Sequence, residues 1–469
     1  VTGPVERVAV LGGGVAAPMA ALAIRRAFGR LGVSVTWHDD NTRPSRHAAL
    51  VAPPDLVGFH PLLGLGDAAL IDHARATLTL GQQFVGWAGG DDAFLHAYGD
   101  AGTPFASLPF LQHWVRARHA GLRVALEDFC LAAVAAKQGR VGSPRDPSTS
   151  QAVKPGRHLD APGYAAVLRA GCKAAGVRIV AADMAVKADL IVDTRDDADA
   201  DADAERDAAP LCDRVILASA APIDPIPLHG RIVAHDAGWT ALTPLADRIA
   251  ITCHYASAHM NEQAALDALQ RAVARPVQAD PAVAVGGRRI PGWSGNRLTI
   301  AQPDGIAATL DGAGLTELQL AIAQLILLWP IDRTAMPEAA LYTDELRGTR
   351  ARVADFSAQH FRLATRSGSP FWDAARAAPI SRELAAKIDL FAARGMVAHF
   401  DHEAHVDDGW ALCMAGHGVV PRSHDAQALL VEDQALLAEF QRQLRAVAAA
   451  VRGMPTHAQA LAALRSGGQ

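Results

Sequence analysis

At 469 residues the chain is too long for one simple core, and at ~100–200 residues per domain it divides into two or three structural units. Half of its residues are apolar and a fifth charged, a globular balance, and a net charge of −5 without any basic block excludes nucleic acid and an anionic membrane surface as expected partners. The five cysteines are scattered without a C-x-x-C pair and the histidines lack metal spacing, so neither a disulfide framework nor a metal site is expected.

Residues 8–21, VAVLGGGVAAPMAA, read as a buried strand, a glycine-rich turn and an alanine-rich helix. Gly12, Gly14 and Ala17 fill the G-x-G-x-x-G/A positions, which supply the tight bend, close approach of backbone to a diphosphate, and close packing of helix on strand. The helix N-terminus then faces the phosphates. The helix runs to about Leu31 and Gly32 ends it. A strand over Val33–His38 delivers Asp39 where an acid holds a ribose hydroxyl, with Asp40 as the alternative. Strand, turn, helix, strand and acid in that order point to a dinucleotide site. The chain enters this strand without a basic region or a long apolar leader, so no secretion signal is read and a cytoplasmic location is expected.

Residues 1–40 thus make a first βαβ unit, and an excursion of mixed helix and loop follows over 41–155. A helix over Tyr164–Ala175 and strands over Val177–Ala181 and Ala188–Asp193 resume the nucleotide fold; the apolar run of the last suits a strand covered on both faces. Asp196–Ala209, almost wholly Asp, Ala, Arg and Glu, repels itself and reads as a surface loop. Short β-like runs at Arg214–Leu217, Gly230–Ala234 and Arg248–Thr252 suggest an antiparallel substrate layer, and from Thr316 the chain is mainly helical. The apolar run Leu320–Trp329 is far short of the ~20 residues that span a bilayer and reads as a buried helix ended by Pro330. The expected units are a cofactor-binding α/β domain over 1–215 carrying the excursion, a substrate-layer sheet over 216–315 that returns to the cofactor domain, and a helical region over 316–469.

Four stretches, in order, make the chain resemble the flavin-dependent tryptophan halogenase family. They are the Gly-Gly-Gly-x-Ala-x-x-Met-Ala-Ala turn ending at Ala21; Phe84-Val-Gly-Trp87 followed by Phe94-Leu-His-Ala-Tyr-Gly99 and His113-Trp114; Gly238-Trp-Thr-Ala-Leu-Thr-Pro244 with Arg248; and Asp355-Phe356, His360-Phe361 and Pro370-Phe-Trp372. The resemblance extends over most of the chain. It implies an FAD-binding, Rossmann-like flavoprotein monooxygenase fold of the α/β class, with an inserted β-sheet substrate layer and a helical C-terminal region. It also implies an oxidoreductase that uses FAD as reduced flavin from an external flavin reductase, oxygen, and chloride or bromide. The oxidant formed, hypohalous acid, travels through a tunnel to an aromatic small molecule or peptide, where a lysine and a glutamate arm it. A homodimer is the assembly expected.

The residues depart from the family pattern where that chemistry is done. Counting back from Trp87, the lysine position falls on Thr79, and no lysine precedes Lys137. A threonine hydroxyl positions a group but supplies neither a cation nor a nucleophilic amine. Nearby Arg75 is cationic but cannot form a haloamine in the same way. The second tunnel tryptophan falls on Ala241, which leaves Trp239 as either tunnel wall or core. The glutamate falls on Asp311, one methylene shorter and equally suited to a surface turn, while the backbone N–H groups of Ala313 and Gly314 remain as a halide cradle. The glycine loop against the flavin ring becomes Arg46-His-Ala-Ala-Leu50. His96 and Tyr98 fall where the family clamps its aromatic substrate, though a buried structural pair would look the same. The segment that holds free tryptophan is shortened to residues 400–408, so another aromatic substrate, or a non-halogenating flavin- or partner-binding relative, is expected.

Overall fold

The computed structural model describes residues 3–88, 90, 92–143, 149–195, 206–207, 210–303, 310 and 312–467. Most of the acidic stretch 196–209, and Asp311, lie outside the described residues.

Strand β1 (Arg7–Leu11) sits in the middle of a six-stranded sheet, between β2 (Ser34–Asp39) and β9 (Leu190–Asp193), both parallel to it. Strand β8 (Arg178–Ala181) extends the sheet beyond β2, and β17 (Arg297–Thr299) with β16 (Gly292–Ser294) beyond β9. Val8, Ala9 and Val10 are all buried because helices cover the sheet, as parallel strands require. Helix α1 (Ala16–Phe28) follows the glycine turn; its residues Ala16–Ile24 are buried without a break, the pattern of a helix enclosed on all sides rather than lying on the surface. It ends through a short 3-10 turn and Gly32 at φ 90°, the left-handed conformation that glycine adopts without a Cβ penalty.

The excursion is less loop-like than its composition suggests. Strands β3 (Ala49–Ala52), β4 (Thr77–Thr79) and β7 (Gly156–Asp160) form a three-stranded sheet, and β5 (Gly81–Val85) with β6 (Ala93–Ala97) joins the large sheet. That sheet runs β14 (Val277–Ala279), β10 (Arg214–Ala220), β13 (Ile249–Tyr255), β12 (Gly238–Pro244), β11 (Gly230–His235), β5, β6, with β15 (Val283–Ala284) also on β10. The β-like runs at 214, 230 and 248 are therefore sheet strands, antiparallel to their neighbours except where β11 meets β5 in parallel. From Ala313 the chain is mainly helical, and the 26-residue helix Glu338–Leu363 packs His360 and Phe361, near its end, against Phe84 and Trp239 of the large sheet. The apolar run at 320 belongs to the helix Ala313–Leu327. No described helix is long and apolar enough to cross a membrane.

Candidate functional site

The glycine turn has the backbone of a diphosphate seat. Gly12 lies at φ 120° and Gly14 at φ 60°. A Cβ on Gly12 would stand 2.4 Å from Oγ1 of Thr194, so the close approach needs glycine for space as well as for φ. The N–H of Gly12 donates to His38 and that of Gly14 to the Thr42 carbonyl. The Ala16 N–H, at the start of α1, donates to Oε1 of Gln302 at 3.2 Å, and Nε2 of Gln302 donates to the Gly13 carbonyl at 2.9 Å. Ala17 is fully buried against the sheet.

Asp39 ends β2 as expected but is committed to protein. Its carboxylate accepts from both Nη atoms of Arg43, at 3.0 and 3.1 Å, from Arg169 and from the Asn41 N–H, and the guanidinium bonds hold its pKa below the usual range against the opposing effect of burial. Asp40 accepts from the Thr42 N–H and is more open.

One face of the large sheet lines a cavity of about 90 Å³. Because side chains alternate along a strand, Gln82 of β5, Ile232 of β11, Trp239, Ala241 and Thr243 of β12, and Thr252 and His254 of β13 share this face. Opposite them stand Ala49–Val51 of β3, Gln302, Leu310, Gly312 and Gly314. Trp239 is buried and stacks on His254 at 5.0 Å between ring centroids. Burial lowers the His254 pKa to about 3, so that ring is neutral. Gln82 is buried, and its Nε2 has no hydrogen-bond partner among the described residues. Sequence reasoning missed both glutamines; the signal for Gln82 is that it stands two residues from Phe84, on the same face.

The cavity is room for water, well below the ~300 Å³ at which small-molecule sites begin. Val51 is the reason on the β3 side, since a Cβ on Gly312 would already meet its carbonyl oxygen at 2.8 Å. For a flavin, the fit is therefore uneven: the glycine turn suits the diphosphate once one flexible side chain moves, and the ring end is narrow.

Thr79 lies outside the lining of this cavity. It is fully buried on β4, and its hydroxyl donates to the Gly81 carbonyl at 3.0 Å. Arg75 is half-exposed and paired with Asp247 at 3.5 Å. No cationic side chain of the 75–87 segment therefore takes the lysine's place. Ala313 and Gly314 open the helix Ala313–Leu327; the Ala313 N–H already donates to the Leu310 carbonyl at 3.3 Å, and of the two only Gly314 lines the cavity.

His96 of β6 packs edge-on to Tyr98 at 5.8 Å and against Phe356 at 5.1 Å. Around them the long helix contributes an aromatic wall. His360 stacks on Phe84 at 4.0 Å, and its Nδ1 lies 3.0 Å from Nε2 of His417. Burial drives both rings toward the neutral form, His417 to about 3. Trp410 packs on Phe356 and donates from Nε1 to Glu403 at 3.2 Å. Glu403 is paired with Lys387 at 2.5 Å, and the ammonium sits 4.1 Å over the Trp410 ring. Both members of the pair are closed to solvent.

On the other side of Trp239 a chamber of about 770 Å³ opens, lined on its apolar part by Trp239, Val353, Ala354, Phe361 and Ile380. Its polar end carries Arg350 paired with Asp207 and Arg288 paired with Glu317 at 2.5 Å. Trp239 and Arg288 line both spaces, so Trp239 stands as the partition between them. The described residues hold no group of three His, Cys, Asp or Glu placed for a metal ion, and the five cysteines are all buried.

The family model of tryptophan halogenase matches residues 7–197 and 201–433. Among solved structures, BrvH, a flavin-dependent halogenase from Brevundimonas sp. BAL3, is 25% identical and superposes with a TM-score of 0.89 over 98% of this chain and 99% of its own. Xcc4156, a flavin-dependent halogenase from Xanthomonas campestris, shares the fold at 24% identity, with a TM-score of 0.89 over 98% of each chain. A curated relative, tryptophan 6-halogenase SttH of Streptomyces toxytricini, aligns at 26% identity over 167 residues, 35% of this chain and 32% of the relative, so that alignment spans about a third of the relative's length. The matching fold carries the α/β architecture expected from the resemblance, and the family model covers nearly the whole chain: it belongs to the tryptophan halogenase family.

Proposed function

We propose that the chain is a flavin-dependent oxidoreductase that acts on an aromatic substrate other than free tryptophan, without a lysine to hold the oxidant. The observation that carries this reading is Trp239, which separates a small space beside the glycine turn from a chamber of about 770 Å³, within the ~300–1,000 Å³ of ligand sites. Gly12, Gly14 and the first turn of α1 would hold the FAD diphosphate. Bound as reduced flavin from an external reductase, FAD would supply oxygen activation. The chain's own residues provide the rest. Trp239 and His254 would wall the passage, and the helix start at Gly314 would meet a halide, whereas His96, buried against Phe356, lines neither space and would back the aromatic wall rather than clamp a substrate. Thr79, whose proton is already given to Gly81, positions backbone only. Asp311 is the one carboxylate that the resemblance assigns to the reaction.

A second reading, a non-halogenating relative that binds its ligand without turnover, is favoured by the narrow ring end, lined by Val51 and by Leu50, the last residue of the stretch Arg46–Leu50 that the resemblance sets against the family's glycine loop. Anaerobically reduced FAD, oxygen, bromide or chloride, and a hypohalous-acid trap decide between them. Halide-dependent oxidation of the trap supports halogenation. Oxygen consumption with product but no halide dependence supports a monooxygenase. Neither, at saturating flavin, leaves the binding relative.

A further inference from the structure

We infer that Gln302 is a displaceable occupant of the diphosphate seat and sets how tightly this chain takes a dinucleotide; this rests on the reading that the glycine turn receives a flavin. A diphosphate at such a turn is held by the N–H groups at the helix start. Here the Ala16 N–H already has an acceptor, Oε1 of Gln302 at 3.2 Å. The same amide group donates from Nε2 to the Gly13 carbonyl at 2.9 Å, so one side chain satisfies an acceptor and a donor of the turn together. It also lies close against Gly14, where a Cβ would stand only 2.9 Å from Oε1. A diphosphate oxygen cannot accept from Ala16 while Gln302 does.

The occupant is movable. Gln302 follows β17 in the stretch that returns to the cofactor domain, it also lines the cavity facing the large sheet, and a glutamine amide swings on three side-chain torsions. Leaving the turn costs its two hydrogen bonds there and a long third one, from Nε2 to Oγ1 of Thr194 at 3.4 Å, and that cost is charged against every ligand that needs the Ala16 N–H. Asp39 does not compensate, because Arg43 and Arg169 already fill its oxygens.

Equilibrium titration of the full chain with oxidised FAD, ADP and riboflavin, followed by flavin fluorescence and calorimetry, tests the inference. Gln302→Ala should bind FAD and ADP about tenfold more tightly than the unsubstituted chain, the scale of one or two net hydrogen bonds no longer broken. Gln302→Glu, which puts a carboxylate against the diphosphate, should bind both at least tenfold more weakly. Riboflavin, which has no phosphate, should not follow this order. Weaker FAD binding by Gln302→Ala would make Gln302 a flavin ligand and overturn the inference, as would equal affinities or no binding of FAD and ADP to any of the three proteins. Melting temperatures without ligand verify that both variants fold. The affinity order is read without turnover, so a failure to oxidise any aromatic substrate would sink the proposed function and leave this result standing.

Discussion

The sheet side and the helical side of the molecule differ in the groups they carry. The sheet side is poor in reactive groups, with Ala241 where the resemblance expects a tunnel tryptophan and Thr79, on the neighbouring three-stranded sheet, bonded to the Gly81 carbonyl. The helical wall is dense with rings and still contains a lysine and a glutamate in contact, Lys387 and Glu403. That pair is no substitute for the missing lysine. It is closed to solvent, lines neither described cavity, and spends its charges on each other and on Trp410. A charged pair does chemistry only where a substrate reaches it; sealed among rings, it fixes geometry.

If the helical wall is structural, breaking it should have the largest effect. Lys387→Met leaves Glu403 buried and unpaired, and should destabilise the chain by about 3–5 kcal/mol in urea unfolding. Adding Glu403→Gln, which still accepts from Trp410, should recover much of the loss. A Lys387→Met chain of unchanged stability would mean that the pair does not hold the wall.

The histidines of the same wall give a pH dependence. His360 and His417 face each other, Phe84, Phe94 and Trp87, with His96 and His405 nearby, and both are held neutral with pKa values below the ordinary 6.5. The unfolded chain therefore binds more protons than the folded one below about pH 6.5, and stability falls as the pH drops from there toward about 3. His417→Gln keeps a donor for His360 but does not titrate. It should flatten the fall by up to about 1.4 kcal/mol per pH unit, some 2 kcal/mol at pH 5. Identical slopes in unfolding series from pH 7 to 5 would remove His417 from the account.

The sheet wall should respond more weakly. Ala241→Trp restores the family's ring to a face with only about 90 Å³ in front of it, and should cost about 1–3 kcal/mol through overpacking. An unchanged melting temperature would mean that the opposing β3 strand yields, and that the ring end of the cofactor site is softer than its packing suggests.

How much of this was legible follows from what each signal measures. The glycine turn, α1 and the run to Asp39 were readable because strand, turn and helix each leave a local pattern. The strands β5 and β6 lie in what reads as an excursion of helix and loop, because β5 joins the large sheet through β11, between residues nearly 150 positions apart, which leaves no local trace. Asp39 ends β2, as the strand pattern predicts, yet its capture by Arg169, 130 residues away, leaves no mark in the sequence. Gln302 and Gln82 carry no motif at all; only the fold brings one to α1 and turns the other toward the cavity. Thr79 shows the converse, since its chemical poverty was plain from the sequence and its actual role, a bond to Gly81, was not.

That role supplies the smallest and sharpest test. Thr79→Val keeps the β-branched shape that suits β4 and deletes only the hydroxyl, so it should cost about 1 kcal/mol for the lost bond to Gly81. Any oxidation of an aromatic substrate, and FAD affinity, should stay unchanged. Loss of turnover at unchanged FAD affinity would restore Thr79 to the reaction and reverse the contrast between the walls. Thr79→Lys separates the remaining possibility. Because Thr79 is fully buried beside Gly156, where a Cβ would already meet its Cγ2 at 3.2 Å, a lysine there must either snorkel into the cavity or destabilise β4. A stable Thr79→Lys, Ala241→Trp chain with raised halide-dependent oxidation would mean that the sheet wall lost only its reactive groups. An unstable one would mean that the packing around β4 leaves no room for a lysine at this position.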